Sequence, residues 1–436
     1  MTDKEKQPSK TMLVLFIAGL TALLCIRDIL FVSLSKWILV AFCCLFAVGA
    51  SYETLIYMLC FMFPLLCGIP SKYILLVFFI LLLVKKRQAD GRVIVFLLYW
   101  IVKEIVATFW VTQPEWMDLI GYCVHVCLLF YLILNEDVLD YKRCVNIYLL
   151  GTIVLCGIII IRTLRTVPSN WLYLFSNGWF RFGMADENTS GMVVELNANS
   201  LAYYAVVGLA CSLFLFSEGK EKKKMLYGFA AAVCLLTGFM TVSRSCLLVS
   251  VILIAWILIC IPKNMSTTIG MLIAGALIVC GGIWLLQSYP ELLQGLTARL
   301  NDSNMSTGGG RSVLFVRYMD AFLANPRLYF TGTGVTSYKE ITGIYNSMHN
   351  ATEQILVCYG IFGSILFFVG LLAPIVRCLR NNKDPWRMKI LPLFAVVLFI
   401  QTIQFVNPDM LMMPYVIAVY CLRIRGVCDE EIYYNS

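Results

Sequence analysis

Apolar runs long enough to cross a bilayer recur from one end of this 436-residue chain to the other, and no other feature constrains its fold as strongly. Inside hydrocarbon every backbone amide must find its partner within the segment, so such runs are helices. A β-barrel would show alternating segments of about ten residues instead. Hydrophobic residues make up 60% of the chain and charged residues 14%, whereas soluble domains carry about a quarter charged residues. The pattern predicts an all-α polytopic membrane protein with about 12–14 transmembrane helices. The expected spans are 11–26, 31–50, 53–69, 72–84, 93–110, 116–134, 144–161, 198–216, 225–242, 245–261, 266–287, 350–376, 389–405 and 408–422.

The first apolar run follows a polar, basic start, MTDKEKQPSK, and no small-residue cleavage site comes after it. A retained helix is expected there rather than a removed signal peptide. Basic residues accumulate on cytoplasmic loops. With the N-terminus inside, Lys4, Lys6 and Lys10, then Lys85 to Arg92, Lys142 and Arg143, the run to Lys224, Lys263, Arg377 to Lys389, and Arg423 with Arg425 all fall on that side. The net charge of +8 is thereby explained without nucleic acid.

The same parity places both termini in the cytoplasm and two polar segments outside. It divides the chain into N-terminal helices (1–161), a first extracytoplasmic segment (162–197), central helices with a Ser-Arg turn (198–287), a large extracytoplasmic loop (288–349), and C-terminal helices with a cytoplasmic tail (350–436). A connection as long as the second loop usually carries function. None of the 18 cysteines lies in 163–197 or 288–349, and no CxxC pair occurs. The cysteines read as small core hydrophobes, and a zinc site is not expected.

Four blocks in order carry a resemblance. They are Arg181-Phe-Gly with Asn197-Ala-Asn199; Thr241-Val-Ser-Arg244-Ser; Gly310-Arg311-Ser followed by a helix, Pro326 and Gly332-Thr-Gly334; and His349-Asn350 with Gln354, Gly360 and Gly363. Across roughly 180–365 the chain resembles the bacterial O-antigen ligase and polysaccharide polymerase superfamily. Where members often carry an acidic residue before the glycine that follows the histidine, this chain has Tyr359, and the nearest acid is Glu353.

The resemblance implies a GT-C-like, metal-independent membrane glycosyltransferase with no cofactor, in the bacterial plasma (inner) membrane. Its donor would be an oligosaccharide on a polyprenyl pyrophosphate, its acceptor a saccharide hydroxyl, and its setting the outer leaflet of the lipid bilayer. A polymerase of capsule, O-antigen or exopolysaccharide repeat units is the expected activity, served by a flippase and a chain-length regulator. A ligase using the same donor is the alternative.

The residue types suit that chemistry. A departing pyrophosphate needs cationic stabilisation. The outer segments hold no DxD pair, whereas guanidiniums fork onto phosphate oxygens. Arg244, Arg311 and Arg181 are the expected pyrophosphate ligands, with Arg162, Arg165, Arg317 and Arg327 as a basic funnel. Of the two histidines, His349 is the expected general base, with Glu353 four residues on to orient it. His125 is expected to be a buried, satisfied core residue. A secondary transporter or flippase is the reading from another class, with Lys36 and Lys103 as its mid-membrane ionisable residues.

Overall fold

The helices start where the sequence supplies a cap. Ser35 accepts from the Trp37 N–H, Ser51 from Thr54, Asp90 from Arg92 and Asn197 from Asn199, each satisfying an amide that the first turn leaves open. The computed structural model describes residues 10–66, 69, 71–86, 90–109, 116–135, 139–166, 169–170, 173, 176, 182, 197–219, 221–260, 287–291, 294, 297, 310–381, 387–407 and 411–424. Among them there are helices and no strand.

In chain order the helices are α1 (Lys10–Asp28), α2 (Lys36–Gly49), α3 (Tyr52–Met62), α4 (Ser71–Lys85), α5 (Gly91–Thr108), α6 (Trp116–Leu134), α7 (Tyr141–Thr166), α8 (Ala198–Glu218), α9 (Glu221–Met240) and α10 (Arg244–Cys260). After them come α11 (Arg311–Ala324), α12 (Arg327–Thr331), α13 (Tyr338–Thr342), α14 (Ala351–Asn381), α15 (Leu391–Ile400) and α16 (Met413–Arg423). The chain is an all-α polytopic membrane protein. Six of these helices are long and apolar enough to cross a membrane: α1, α6, α7, α8, α14 and the Lys223–Met240 part of α9. Large side chains such as Leu45, Val84, Val95, Leu248 and Ile259 stay exposed around them, the surface expected of a protein solvated by lipid.

Most expected spans agree with a helix to within a few residues. The span 53–69 is cut short: α3 ends at Met62 and passes into a 3-10 turn containing Pro64, which has no N–H to continue the ladder. Spans 389–405 and 408–422 are likewise shorter, opening with Pro392 and Pro414 in the first turn of α15 and α16. Most of the expected span 266–287 lies outside the described residues. His125 is buried, yet neither ring nitrogen has a hydrogen-bond partner among the described residues, so it is not the satisfied core histidine expected.

Helix α8 is the axis of the bundle. It is apolar on all sides, as an interior helix must be, and packs against α7, α9, α10 and α15. Contacts also distinguish the two ends of the bundle. At one, Arg423 donates to the Asn135 carbonyl (3.0 Å) and Lys389 to Ile424 (2.8 Å). At the other, Arg165 donates to the Ile29 carbonyl, and the Phe182 N–H to Met240 (3.1 Å). There too the Gln354 amide pairs with the Val406 backbone through two bonds of 2.8 and 2.9 Å.

Helix α14 is broken at Gly360, which has φ 68° and ψ −177°. A break in a spanning helix frees carbonyls that lipid cannot satisfy. The loop between α12 and α13 supplies the donors: the Thr333 N–H bonds to Val357 and the Gly334 N–H to Cys358, both at 2.9 Å. Behind this joint Trp100 of α5 is fully buried and packs edge-on against Tyr359 and Phe367.

Candidate active site

A strained turn delivers Arg244. The Thr241 hydroxyl donates to the Gly238 carbonyl (2.6 Å) and accepts from the Ser243 N–H (3.3 Å). Between them Val242 has φ 49°, a left-handed conformation that costs a β-branched residue about 1–3 kcal/mol. Arg244 is then the first residue of α10. The first polar segment reaches this turn through the Phe182 N–H. Its neighbour Arg181 lies outside the described residues, as do Trp171 and Trp179.

Arg311 is the first residue of α11, after Gly310 in the left-handed region at φ 82°. Burial and the nearby Arg244 guanidinium both lower its pKa from the usual arginine value. Two guanidiniums close enough to repel, each opening a helix whose N–H groups point outwards, form a cationic corner suited to a polyanion. Tyr318, buried in α11, fixes that helix to the segment before His349 by donating to the Ile344 carbonyl (3.0 Å) and to Asn346.

His349 precedes α14. Burial first, and the Arg311 charge second, push its pKa below 6.5. The imidazole is therefore neutral near pH 7 and able to accept a proton. One turn on, the Glu353 N–H donates to the Asn350 side chain (3.0 Å). The Glu353 side chain is 3% exposed, and its Oε1 has no hydrogen-bond partner among the described residues. It makes no bond to His349.

Arg311, His349 and Glu353 share one cleft of about 390 Å³; Arg244 is not among the residues that line it. Arg311 and Ser312 line it from α11, with Phe315 and Val316 as its apolar part; His349, Asn350 and Glu353 line it from the start of α14. Gln401 and Thr402, on the connection after α15, complete it. A groove of about 420 Å³ runs beside Val369, Leu372 and Arg377 on α14, but contains neither a histidine nor an acid. Among the described residues no group of three or more His, Cys, Asp and Glu gathers to hold a metal ion.

Arg162, Arg165, Arg317 and Arg327 do not line this cleft. Arg162 is buried near the Arg27–Asp28 ion pair (2.8 Å), and Arg165 covers the Phe31 ring, so both are engaged with the end of α1. Arg317 is exposed on α11, and Arg327 is exposed at the start of α12.

Two residues on α5 hold the loop in place. Lys103 Nζ donates to the Phe330 carbonyl (3.3 Å) and to Thr331, while Glu104 Oε2 accepts the Val335 N–H (3.2 Å). Lys103 is thus a strut to the large loop, and Lys36 is exposed at the start of α2. Nothing local in the sequence marks α5 as a partner of residues more than two hundred positions away. The adjacent Lys103-Glu104 pair within an apolar span is the one signal that could have found it, because burying two charges requires partners.

Residues 229–368 match the family model described as O-antigen ligase, about a third of the chain. No curated protein matches the chain. Arg244, Arg311, His349 and Glu353 all fall inside the matched region; Lys103, Glu104, Gln401 and Thr402 fall outside it. Over these residues the protein is similar to the O-antigen ligase family, in agreement with the resemblance to the O-antigen ligase and polysaccharide polymerase superfamily carried by its motifs.

Proposed function

We propose that the protein is a membrane glycosyltransferase that joins polyprenyl-pyrophosphate-linked oligosaccharide repeat units into a surface polysaccharide. The observation that carries this reading is the grouping of Arg311 and His349 in one cleft with Arg244 nearby: burial first, and then the neighbouring guanidinium charge, lowers the pKa of Arg311 and of the imidazole. Cations and a neutral base side by side suit displacement of an anionic leaving group by a hydroxyl.

In this scheme the acceptor hydroxyl oxygen attacks the anomeric carbon of the donor glycan. His349 takes the hydroxyl proton as the new glycosidic bond forms. The bond from the anomeric carbon to the pyrophosphate oxygen breaks, and polyprenyl pyrophosphate leaves with the electron pair. Arg311 and Arg244 stabilise the charge that builds on it, so no metal ion is required. A single displacement inverts the anomeric configuration. The loop charges support a site on the outer face of the bacterial plasma membrane, with both termini in the cytoplasm, and a flippase would then have to deliver the donor.

The test is transfer by purified protein in detergent, supplied only with the lipid-linked repeat unit of its own host. A ladder of longer glycans supports polymerisation. Transfer only after host glycolipids or proteins are added points to a ligase with the same site. No transfer under either condition, by folded protein with the correct donor, overturns the reading.

A further inference from the structure

The cleft has two chemically different walls. Arg311 lies on α11, whereas Asn350 and Glu353 come from the entry to α14 and its first turn, and Gln401 and Thr402 from the connection after α15. A pyrophosphate belongs with the guanidiniums and is repelled by a carboxylate. Sugar hydroxyls, which both donate and accept, belong with amides, hydroxyls and a carboxylate. We infer that Gln401, Thr402 and Glu353 form the subsite for the acceptor saccharide, an assignment that rests on the glycosyl-transfer reading above.

Gln401 is held in place by its neighbours but not used up by them. Its Oε1 accepts from the Thr352 hydroxyl (3.3 Å), and its carbonyl accepts from Asn350 (3.5 Å), which leaves the side-chain NH₂ to donate. The Thr402 hydroxyl donates to the Phe399 carbonyl (2.8 Å) and keeps its lone pairs. Glu353 supplies the independent pointer to a ligand: it lines the cleft, and its buried Oε1 has no donor among the described residues. Such an atom is costly to bury unless a ligand hydroxyl or water donates to it. The two-bond clamp between Gln354 and Val406 keeps the Gln401 segment on α14. This wall is built partly from outside the matched family region, so its chemistry can differ between chains that share the cationic corner.

The test separates acceptor from donor. The host repeat-unit oligosaccharide, capped as an alkyl glycoside, can accept but cannot donate; a host glycolipid fraction serves as the second acceptor probe. Apparent KM is measured for donor and acceptor with wild type, Gln401→Ala and Thr402→Val, after confirming unchanged melting in detergent. The expected result is an acceptor KM raised about tenfold for Gln401→Ala, the loss of one hydrogen bond, with donor KM within about twofold. An unchanged acceptor KM, or equal rises for donor and acceptor, overturns the subsite while leaving glycosyl transfer standing. Failure of the wild type with both probes overturns the transfer reading and the subsite with it.

Discussion

Gly332 and Gly360 lie back to back: a Cβ on the first would fall 2.6 Å from the amide nitrogen of the second, and a Cβ on the second 3.1 Å from the nitrogen of the first. Both have positive φ. The large loop therefore meets the broken helix backbone against backbone, with no side chain between them. This is the joint that carries the loop, and through it the segment leading to His349.

Replacing Gly332 by alanine should therefore be far worse than replacing Gly343. Both have φ near +65°, at 62° and 67°, but nothing lies within 4 Å of a Cβ at Gly343, while one at Gly332 would be 2.3 Å from the Cys358 carbonyl oxygen. Gly343→Ala should cost about 1 kcal/mol, the price of the left-handed conformation alone. Gly332→Ala should cost about 3 kcal/mol or more, because the overlap is with backbone that cannot move aside. Thermal unfolding in detergent of the two variants side by side measures the difference.

Glu104→Ala should loosen the loop while Glu104→Gln retains most of its hold. The alanine strands the Val335 N–H, which donates to Glu104 Oε2, at a cost of about 1–3 kcal/mol. Glutamine keeps an oxygen in the same place. Amide exchange over 333–337 should quicken markedly in the alanine variant and little in the glutamine variant; equal exchange in both would show that α5 does not anchor the loop.

Arg311→Ala should lower glycan transfer by about 10²–10³-fold, the usual scale for removing one group that stabilises transition-state charge. Arg311→Lys should recover little of this, since an ammonium cannot fork onto two phosphate oxygens. Initial rates at saturating donor decide it, and full recovery by lysine would argue for a simple charge effect.

The His349 imidazole should titrate below 6.5, and Arg311→Gln should move it up. A positive neighbour disfavours the imidazolium, so removing that charge relieves part of the depression, and burial retains the rest. Ring-carbon NMR of protein labelled at histidine reads this directly: the chain has two histidines, and His349→Gln identifies which signal is which. The same shift fixes a sign for stability. The folded pKa lies below the unfolded one, so His349 destabilises nothing above pH 6.5 and weakens the fold as pH falls from there through the folded pKa.

The sequence is most informative where physics is local. Spans such as 116–134 coincide with α6 because a bilayer demands one long apolar helix. Arg244, Arg311 and His349 are legible as ionisable or phosphate-binding groups in polar segments of an otherwise apolar chain. The mutual geometry of Arg311 and His349 could not be read, since it depends on how α11 docks. Gln401 and Thr402 gave no signal at all: a glutamine and a threonine after an apolar span look like any helix end until Gln354 clamps them beside Glu353. Lys103 fits the transporter alternative only while its distant carbonyl partners are unknown; the Phe330 and Thr331 carbonyls account for it as a strut.

The break in α14 has a consequence for biogenesis. While the chain is being threaded into the bilayer, α14 emerges with the Val357 and Cys358 carbonyls beside its break, and the Thr333 and Gly334 N–H groups answer them. That segment is made first, so it is available when the helix arrives. The break is satisfied only once the loop has docked onto it, so α14 matures in the lipid together with the Thr333–Gly334 segment and not as a free-standing span.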